Sequence, residues 1–228
     1  MAGLQTIIDN CNGIKINRRN VVGIQYTRNE IPRVSQTPTT NAWKITVDMP
    51  SSFRYSEARA LMEELDTLDT TTPQVVTFGN NTNLQWIFSY QGSISVAQIS
   101  ALTIVSYVGN QLILTNLPAV GATRVMFKKN DLIQIVGYPY PFTTEEDVLR
   151  GTDVTVTITT SRPNIITDDV TNLGIVSGTN CQFNFFCPNM PVYKLTVGGY
   201  QKVSDVVQNN ALLEWSDSFL LYEFVGDA

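Results

Sequence analysis

FKKNDLIQIVGYPYPFTTEEDVLRGTDVTVTITTSRP, residues 127–163, is the stretch whose reading decides the fold. Asp131–Val136 is a short apolar strand, Gly137–Phe142 an aromatic, proline-rich turn, Glu145–Asp147 an acidic run, and Val154–Thr160 the clearest strand of the chain. In that last segment Val154, Val156 and Ile158 alternate with Thr155, Thr157 and Thr159. A period of two places the aliphatic side chains on one face of a pleated strand and the threonines on the other.

Working outward, the same pattern recurs. Downstream, Cys181–Phe186, Val192–Val197, Leu212–Trp215 and Phe219–Phe224 read as strands. Upstream, Thr103–Val108 and Gln111–Thr115 are joined by Gly109-Asn110, with glycine where a type II′ hairpin turn needs positive φ. Arg124–Phe127 is a further short strand. Gln74–Phe78 and Leu84–Tyr90 flank GNNTN and read as a hairpin, with Trp86, Phe88 and Tyr90 on one face. Ala42–Met49 alternates cleanly, Trp43, Ile45, Val47 and Met49 against Lys44, Thr46 and Asp48. Val21–Tyr26 is an additional strand, whereas Thr27–Asn41, with its prolines and run of Thr and Ser, reads as a loop or extended arm.

One segment has a helical period. Ala58, Leu61, Met62, Leu65 and Leu68 form a stripe within Ser56–Leu68, with Arg59, Glu63, Glu64 and Asp66 facing away. Ser56 is the expected N-cap, Arg59 and Glu63 an (i, i+4) pair, and Thr70–Pro73 the stop. Strands at short spacing separated by turn residues predict a mainly β protein with a minor helical part. The expected architecture is an antiparallel barrel or sandwich with the single helix, about 56–68, packed on it. The expected organisation is an N-terminal arm over residues 1–41 and one β domain over 42–228, with residues 164–179 the best place for a flexible joint.

Composition sets bounds on function. Of 228 residues 43% are hydrophobic and only 15% charged, against about 25% charged in an average globular chain. So little charge suits either a β domain with a Thr/Asn/Gln face or a protein that buries its exterior against copies of itself. A net charge of −5 argues against nonspecific nucleic-acid binding and against docking on an anionic membrane. No apolar run reaches the roughly 20 residues that span a bilayer, and the polar N-terminal segment lacks the apolar core of a signal peptide. The expected site of synthesis is a cytoplasm.

The chemistry available is narrow. With no histidine, Ser-His-Asp and Cys-His catalysis is impossible. The three cysteines, Cys11, Cys181 and Cys187, lack metal-ligand spacing. Cys181 and Cys187, six positions apart on a strand, stand roughly 20 Å from each other, beyond disulfide reach; all three read as small buried thiols. No glycine-rich loop matches a nucleotide-binding fingerprint. Glu145, Glu146 and Asp147, like Asp168 and Asp169, are adjacent acids that read as solvated turns, since a carboxylate pair working across a cleft needs opposed positions. Asp66 and Asp69 read as helix-end charges, and Asn80-Asn81-Thr82 as a chance glycosylation pattern. Tyr138, Tyr140 and Phe142 fit either a sugar- or peptide-stacking surface or packing under a hairpin or into an interface. No catalytic, cofactor-binding or metal-ligating residue is assigned.

Taken in order, KKNDLIQI, YPYPFTTEEDVLRG and the Val-Thr strand closing on Ser161-Arg162-Pro163 resemble baseplate and tail-tube-like proteins of contractile-tailed bacteriophages. In that family a GD-x-I-Q strand leads to a Y-x-Y-x-V-x-x-D-V-x-R-G turn and a strand ending in R-P. The chain departs from this with Asn130 in the place of the glycine and with Thr143 and Thr144 in the turn. Pro191–Leu195, Leu213–Phe219 through Glu223, and the helix SEARALMEELDTL followed by VVTF are similar to the closing strands and the helix-plus-strand element of such modules.

The resemblance implies a tail-tube-like β domain and a virion structural protein, assembled in the host cytoplasm. Its copies would form a ring, expected to be hexameric, at the junction of tail tube and baseplate, as a hub or a tube initiator. The implied partners are other tail tube and baseplate proteins, with DNA only as passing cargo in the lumen and no membrane. The alternative is a receptor- or glycan-binding tail module using Tyr138, Tyr140 and Phe142; a carboxylate hydrolase is the least favoured reading.

Overall fold

The computed structural model describes residues 3–17, 22–26, 32–36, 42–50, 53–66, 72–82, 84–203 and 206–225. Helix α1 (Gly3–Asn10) leads into β1 (Gly13–Asn17), followed by β2 (Val22–Tyr26), β3 (Pro32–Gln36) and β4 (Lys44–Asp48). The two-residue β5 (Phe53–Arg54) runs directly into helix α2 (Tyr55–Asp66), and β6 (Gln74–Thr77) follows. Two short helices, α3 (Gln85–Phe88) and α4 (Val96–Ser100), precede β7 (Thr103–Val108), β8 (Gln111–Thr115) and β9 (Val125–Phe127). Next come β10 (Leu132–Ile135), β11 (Phe142–Thr143), β12 (Val148–Leu149), β13 (Val156–Thr159) and β14 (Ile175–Ser177). A 3-10 turn (Gly178–Asn180) then leads to β15 (Gln182–Phe186), β16 (Tyr193–Val203), β17 (Val206–Trp215) and β18 (Phe219–Glu223). The protein is mainly β, 38% strand against 16% helix, and every strand register recorded is antiparallel.

The chain divides into two compact units. The first combines Met1–Ile16, Lys44–Phe88 and Gln182–Phe224; the second combines Asn17–Trp43, Ser89–Cys181 and the C-terminal residues. This division cuts across the expected segments. Residues 3–16, assigned to an arm, belong to the first unit, and residues 164–179, expected as a joint, lie wholly within the second. They bury Ile166, Val170 and Ile175 and supply β14, so their apolar side chains are core.

In the first unit a five-stranded sheet runs β1-β4-β18-β15-β6. Its strands alternate as a sheet with one buried face must: Ile45, Val47, Val76, Phe183, Phe185, Phe219 and Leu221 are all fully buried. Phe78 stacks with Phe88 at 4.5 Å and meets Phe183 edge-on at 5.2 Å. Leu4, Ile7 and Ile8 of α1 are also buried. Their i, i+3, i+4 spacing is a helical signal at the N-terminus that the strand-dominated reading passed over. A second sheet, β16-β17-β5, receives α2, whose Ala58 and Met62 cluster with Leu213 and Trp215. The expected Arg59–Glu63 pair is present at 2.8 Å, while Leu68, Asp69 and the side chain of Ser56 lie outside the described residues.

Leu84–Tyr90 is a correction. The expected second hairpin strand is a helical turn, begun by Leu84 and Gln85 donating to the Asn81 carbonyl at 3.0 and 3.1 Å. The partner of β6 is β15, with Val76 opposite Phe183, so a distant strand took the place that the local alternation assigned to 84–90. Trp86's side chain lies outside the described residues. The arm reading of Thr27–Asn41 is likewise amended in part. Pro32–Gln36 is a strand paired with β2 from Val22↔Gln36 to Tyr26↔Pro32, while residues 27–31 and 37–41 lie outside the described residues.

The second unit holds two three-stranded sheets, β13-β8-β7 and β11-β10-β14, with the small pair β12-β9. Single antiparallel bridges, Thr144↔Thr160 and Thr103↔Gly174, connect the two sheets at both margins. Ile104, Leu112, Leu114, Ile133, Phe142, Ile158 and Ile175 form the core that the two sheets share. Gly109 turns the β7–β8 hairpin at φ 56°, and Asn130, standing where the resembled family has glycine, adopts φ 71°. Asparagine is enriched among non-glycine residues in this left-handed region, so the substitution preserves the turn.

Candidate interaction surface

Within the second unit the segment 127–163 is organised by two buried polar groups. Asp131 is 2% exposed. Its Oδ1 accepts from the Gln91 N–H at 2.8 Å, and Oδ2 accepts from Gly92 at 3.1 Å and Lys128 at 2.8 Å. Burial pushes this carboxyl above the usual carboxylate range, while the three N–H donors act in the opposite direction. The carboxylate thus ties residues 91–92 to the turn that starts β10. Gly92 has no room for a side chain, because a Cβ would fall on the Tyr90 hydroxyl and the Met126 carbonyl, which are bonded to each other.

The second group is Arg162, also 2% exposed. Its guanidinium lies 3.6 Å from the Tyr140 ring centroid and donates to the Pro141 carbonyl, which also accepts from Trp43 Nε1 at 3.2 Å. The Tyr140 hydroxyl donates to the Pro163 carbonyl at 3.2 Å, and the Tyr107 hydroxyl to the Arg162 carbonyl at 3.1 Å. The guanidinium on the ring face, with the Pro141 carbonyl accepting from one of its N–H groups, holds the aromatic turn against the end of β13.

These contacts place the sequence-derived candidates. Phe142 is fully buried and Tyr140 6% exposed; Tyr138 is partly exposed, its hydroxyl donating to Asp168 at 3.0 Å. The three do not form an external stacking platform, and the packing reading of this segment is the correct one. Glu145, Glu146 and Asp147 are exposed. Asp147 accepts from the Lys129 N–H at 2.8 Å and Glu146 from the Thr159 hydroxyl at 3.1 Å, as in a solvated turn. Asp169 accepts from the Thr171 N–H at 2.9 Å, which lowers its pKa. Among the described residues no group of three or more His, Cys, Asp or Glu is placed to hold a metal ion, and no helix is long and apolar enough to cross a membrane.

All three cysteines are free and buried. Burial pushes the Cys11 thiol up to about 11, and raises those of Cys181 and Cys187 in the same direction. Asn80, the acceptor of the glycosylation pattern, reaches Asp9 at 3.5 Å. Its neighbour Asn81 is buried and donates to the Ile8 carbonyl at 2.8 Å at the end of α1.

One surface that lacks a strand neighbour among the described residues is the outer edge of β16. β16 and β17 pair from Tyr193↔Trp215 to Val203↔Val206, a ribbon far longer than the segments 192–197 and 212–215 read as strands. Gly198, Gly199 and the polar run Gln208–Asn210 interrupt the apolar alternation, which hid its length. On β17's outer side β5 pairs only at Leu212 and Leu213. Among the described residues β16 has β17 as its one neighbour. Val192, Tyr193 and Leu195, at its base, are 73%, 39% and 46% exposed. The chain matches no family model and no curated protein.

Proposed function

We propose that the chain is a self-assembling structural protein of a phage tail, forming a ring at the tube–baseplate junction without catalysis. The observation that carries this reading is the long β16 edge, flanked by exposed apolar side chains, in a chain with only 15% charged residues. An unpaired edge of that length is an aggregation liability in a monomer and an asset in an assembly, where a neighbour completes the sheet. The ordered motifs of residues 127–163 supply the link to tail proteins, with other tail tube and baseplate proteins as neighbours in the particle. The acidic balance suits a lumen through which DNA passes without adhering, because like charge removes the attraction to phosphates. Burial of Tyr140 and Phe142 takes away the platform on which the glycan-binding alternative stood.

Light scattering on the purified chain, followed by negative-stain imaging, tests this. Closed rings, formed alone or on adding a tail tube or baseplate protein, are the expected result. A particle that remains a monomer in both conditions contradicts the proposal.

A further inference from the structure

Strand edges in this protein are treated unequally. At β6, Gln5 closes the outer side of Thr77: Gln5 Nε2 donates to the Thr77 carbonyl at 2.9 Å and the Thr77 N–H donates to Gln5 Oε1 at 2.8 Å. At β7, the Ile104 N–H donates to the Leu173 carbonyl at 2.9 Å and Asn164 Nδ2 donates to the Tyr107 carbonyl at 3.0 Å. At β17, the base of the outer edge is taken by β5. β16 carries no comparable guard among the described residues.

The bonding pattern shows which groups of β16 face outward. The Ser216 N–H donates to the Val192 carbonyl at 2.7 Å, making 192 and 216 a bonded pair of the ladder. Bonded and non-bonded pairs alternate along antiparallel strands. Lys194 and Thr196 therefore bond across to β17, while Tyr193 and Leu195 direct their N–H and C=O away from it. Both residues with outward backbone groups also carry exposed apolar side chains, and Val192 beside them is exposed as well.

We propose that the β16 edge from Tyr193 to Leu195 docks a second copy of this chain through that copy's own β16, antiparallel about a twofold axis. The inference rests on the self-assembly reading above. An outward row of N–H and C=O groups is complemented by another strand edge. At the level of Leu195 a copy presents such an edge on β16, because β5 has taken it on β17. The contact is isologous, the same residues meeting from both sides, so a larger ring is built from pairs and contains an even number of chains. Pairing brings the exposed Tyr193 and Leu195 side chains of both copies to one seam.

Amide hydrogen exchange on the wild-type chain, assembled and diluted to monomer, tests the edge. On assembly the Tyr193 and Leu195 amides slow by roughly tenfold or more, while those of Lys194 and Thr196 are slow in both states. Leu195→Pro removes an outward donor at a position where an edge strand tolerates proline, and Leu195→Ala keeps that donor. The expected outcome is loss of the oligomer for L195P and its retention for L195A. Should L195P fail to fold, the exchange pattern alone decides. An assembly in which the Tyr193 and Leu195 amides stay fast, or one with an odd number of chains, overturns this contact and leaves self-assembly standing. A wild-type chain that never assembles overturns both.

Discussion

At the scale of single residues, the segment 127–163 is held by buried polar groups that do mechanical work. Asp131 joins two loops through three backbone N–H donors, and Arg162 clamps the aromatic turn through a ring and a carbonyl. Both were named in the sequence only as motif letters, since nothing in a one-dimensional pattern says which N–H groups will converge on a carboxylate. The cysteines were legible as buried thiols, and their burial has a pH signature. Cys11 titrates near 9.0 when solvated and is pushed up to about 11 in the folded chain. An unfolded chain loses that proton first, so the stabilisation is complete below pH 9 and is lost as pH rises towards 11. Thermal melts of wild type and Cys11→Ala at pH about 8 and about 10.5 are expected to show wild type losing ground to the variant at the higher pH. A difference that stays constant would contradict the burial of this thiol.

At the scale of elements, the strands with clean alternation were recognisable and the exceptions have identifiable causes. Ala42–Met49, Thr103–Thr115 and Phe219–Phe224 correspond to β4, the β7–β8 hairpin and β18. Val154–Thr160 is shortened to β13, leaving Val154 81% exposed. Leu84–Tyr90 alternates like a strand yet forms a helical turn, because Phe88 packs on Phe78 and Phe183 and β15 occupies the pairing side of β6. Helix α1 couples to β6 through Gln5, which imitates a strand partner for Thr77. Gln5→Ala leaves the Thr77 N–H and C=O without those bonds, at a cost of about 1–3 kcal/mol. Denaturant titration is expected to show a lower midpoint, and a midpoint equal to wild type would mean that water replaces the amide without loss.

At the scale of the whole molecule, a chain with 15% charged residues and net charge −5 has little to gain from long-range electrostatics. Assembly through backbone groups and apolar side chains is therefore expected to persist in about 1 M salt, where the screening length is about 3 Å. Sedimentation at low and high salt checks this; rings that dissolve with salt would point to charge pairs as the joining force. The same composition, with no histidine, excludes Ser-His-Asp and Cys-His catalysis, whereas the mainly β class is carried by the strand periodicities. It did not announce two units, because each is assembled from segments distant in sequence: 1–16, 44–88 and 182–224 in the first, 17–43 and 89–181 in the second.

The sequence by itself determined the periodicities: alternation where one strand face is buried, a 3.6-residue stripe in α2, and glycine or asparagine where φ turns positive. Those depend on residues a few positions apart. Tertiary structure alone decided which strands pair, that Tyr140 and Phe142 face inward, and that among the described residues β16 has no outer neighbour while β6, β7 and the base of β17 have one. Every residue except proline offers the same backbone N–H and C=O, so their partners are chosen by what the rest of the chain brings alongside.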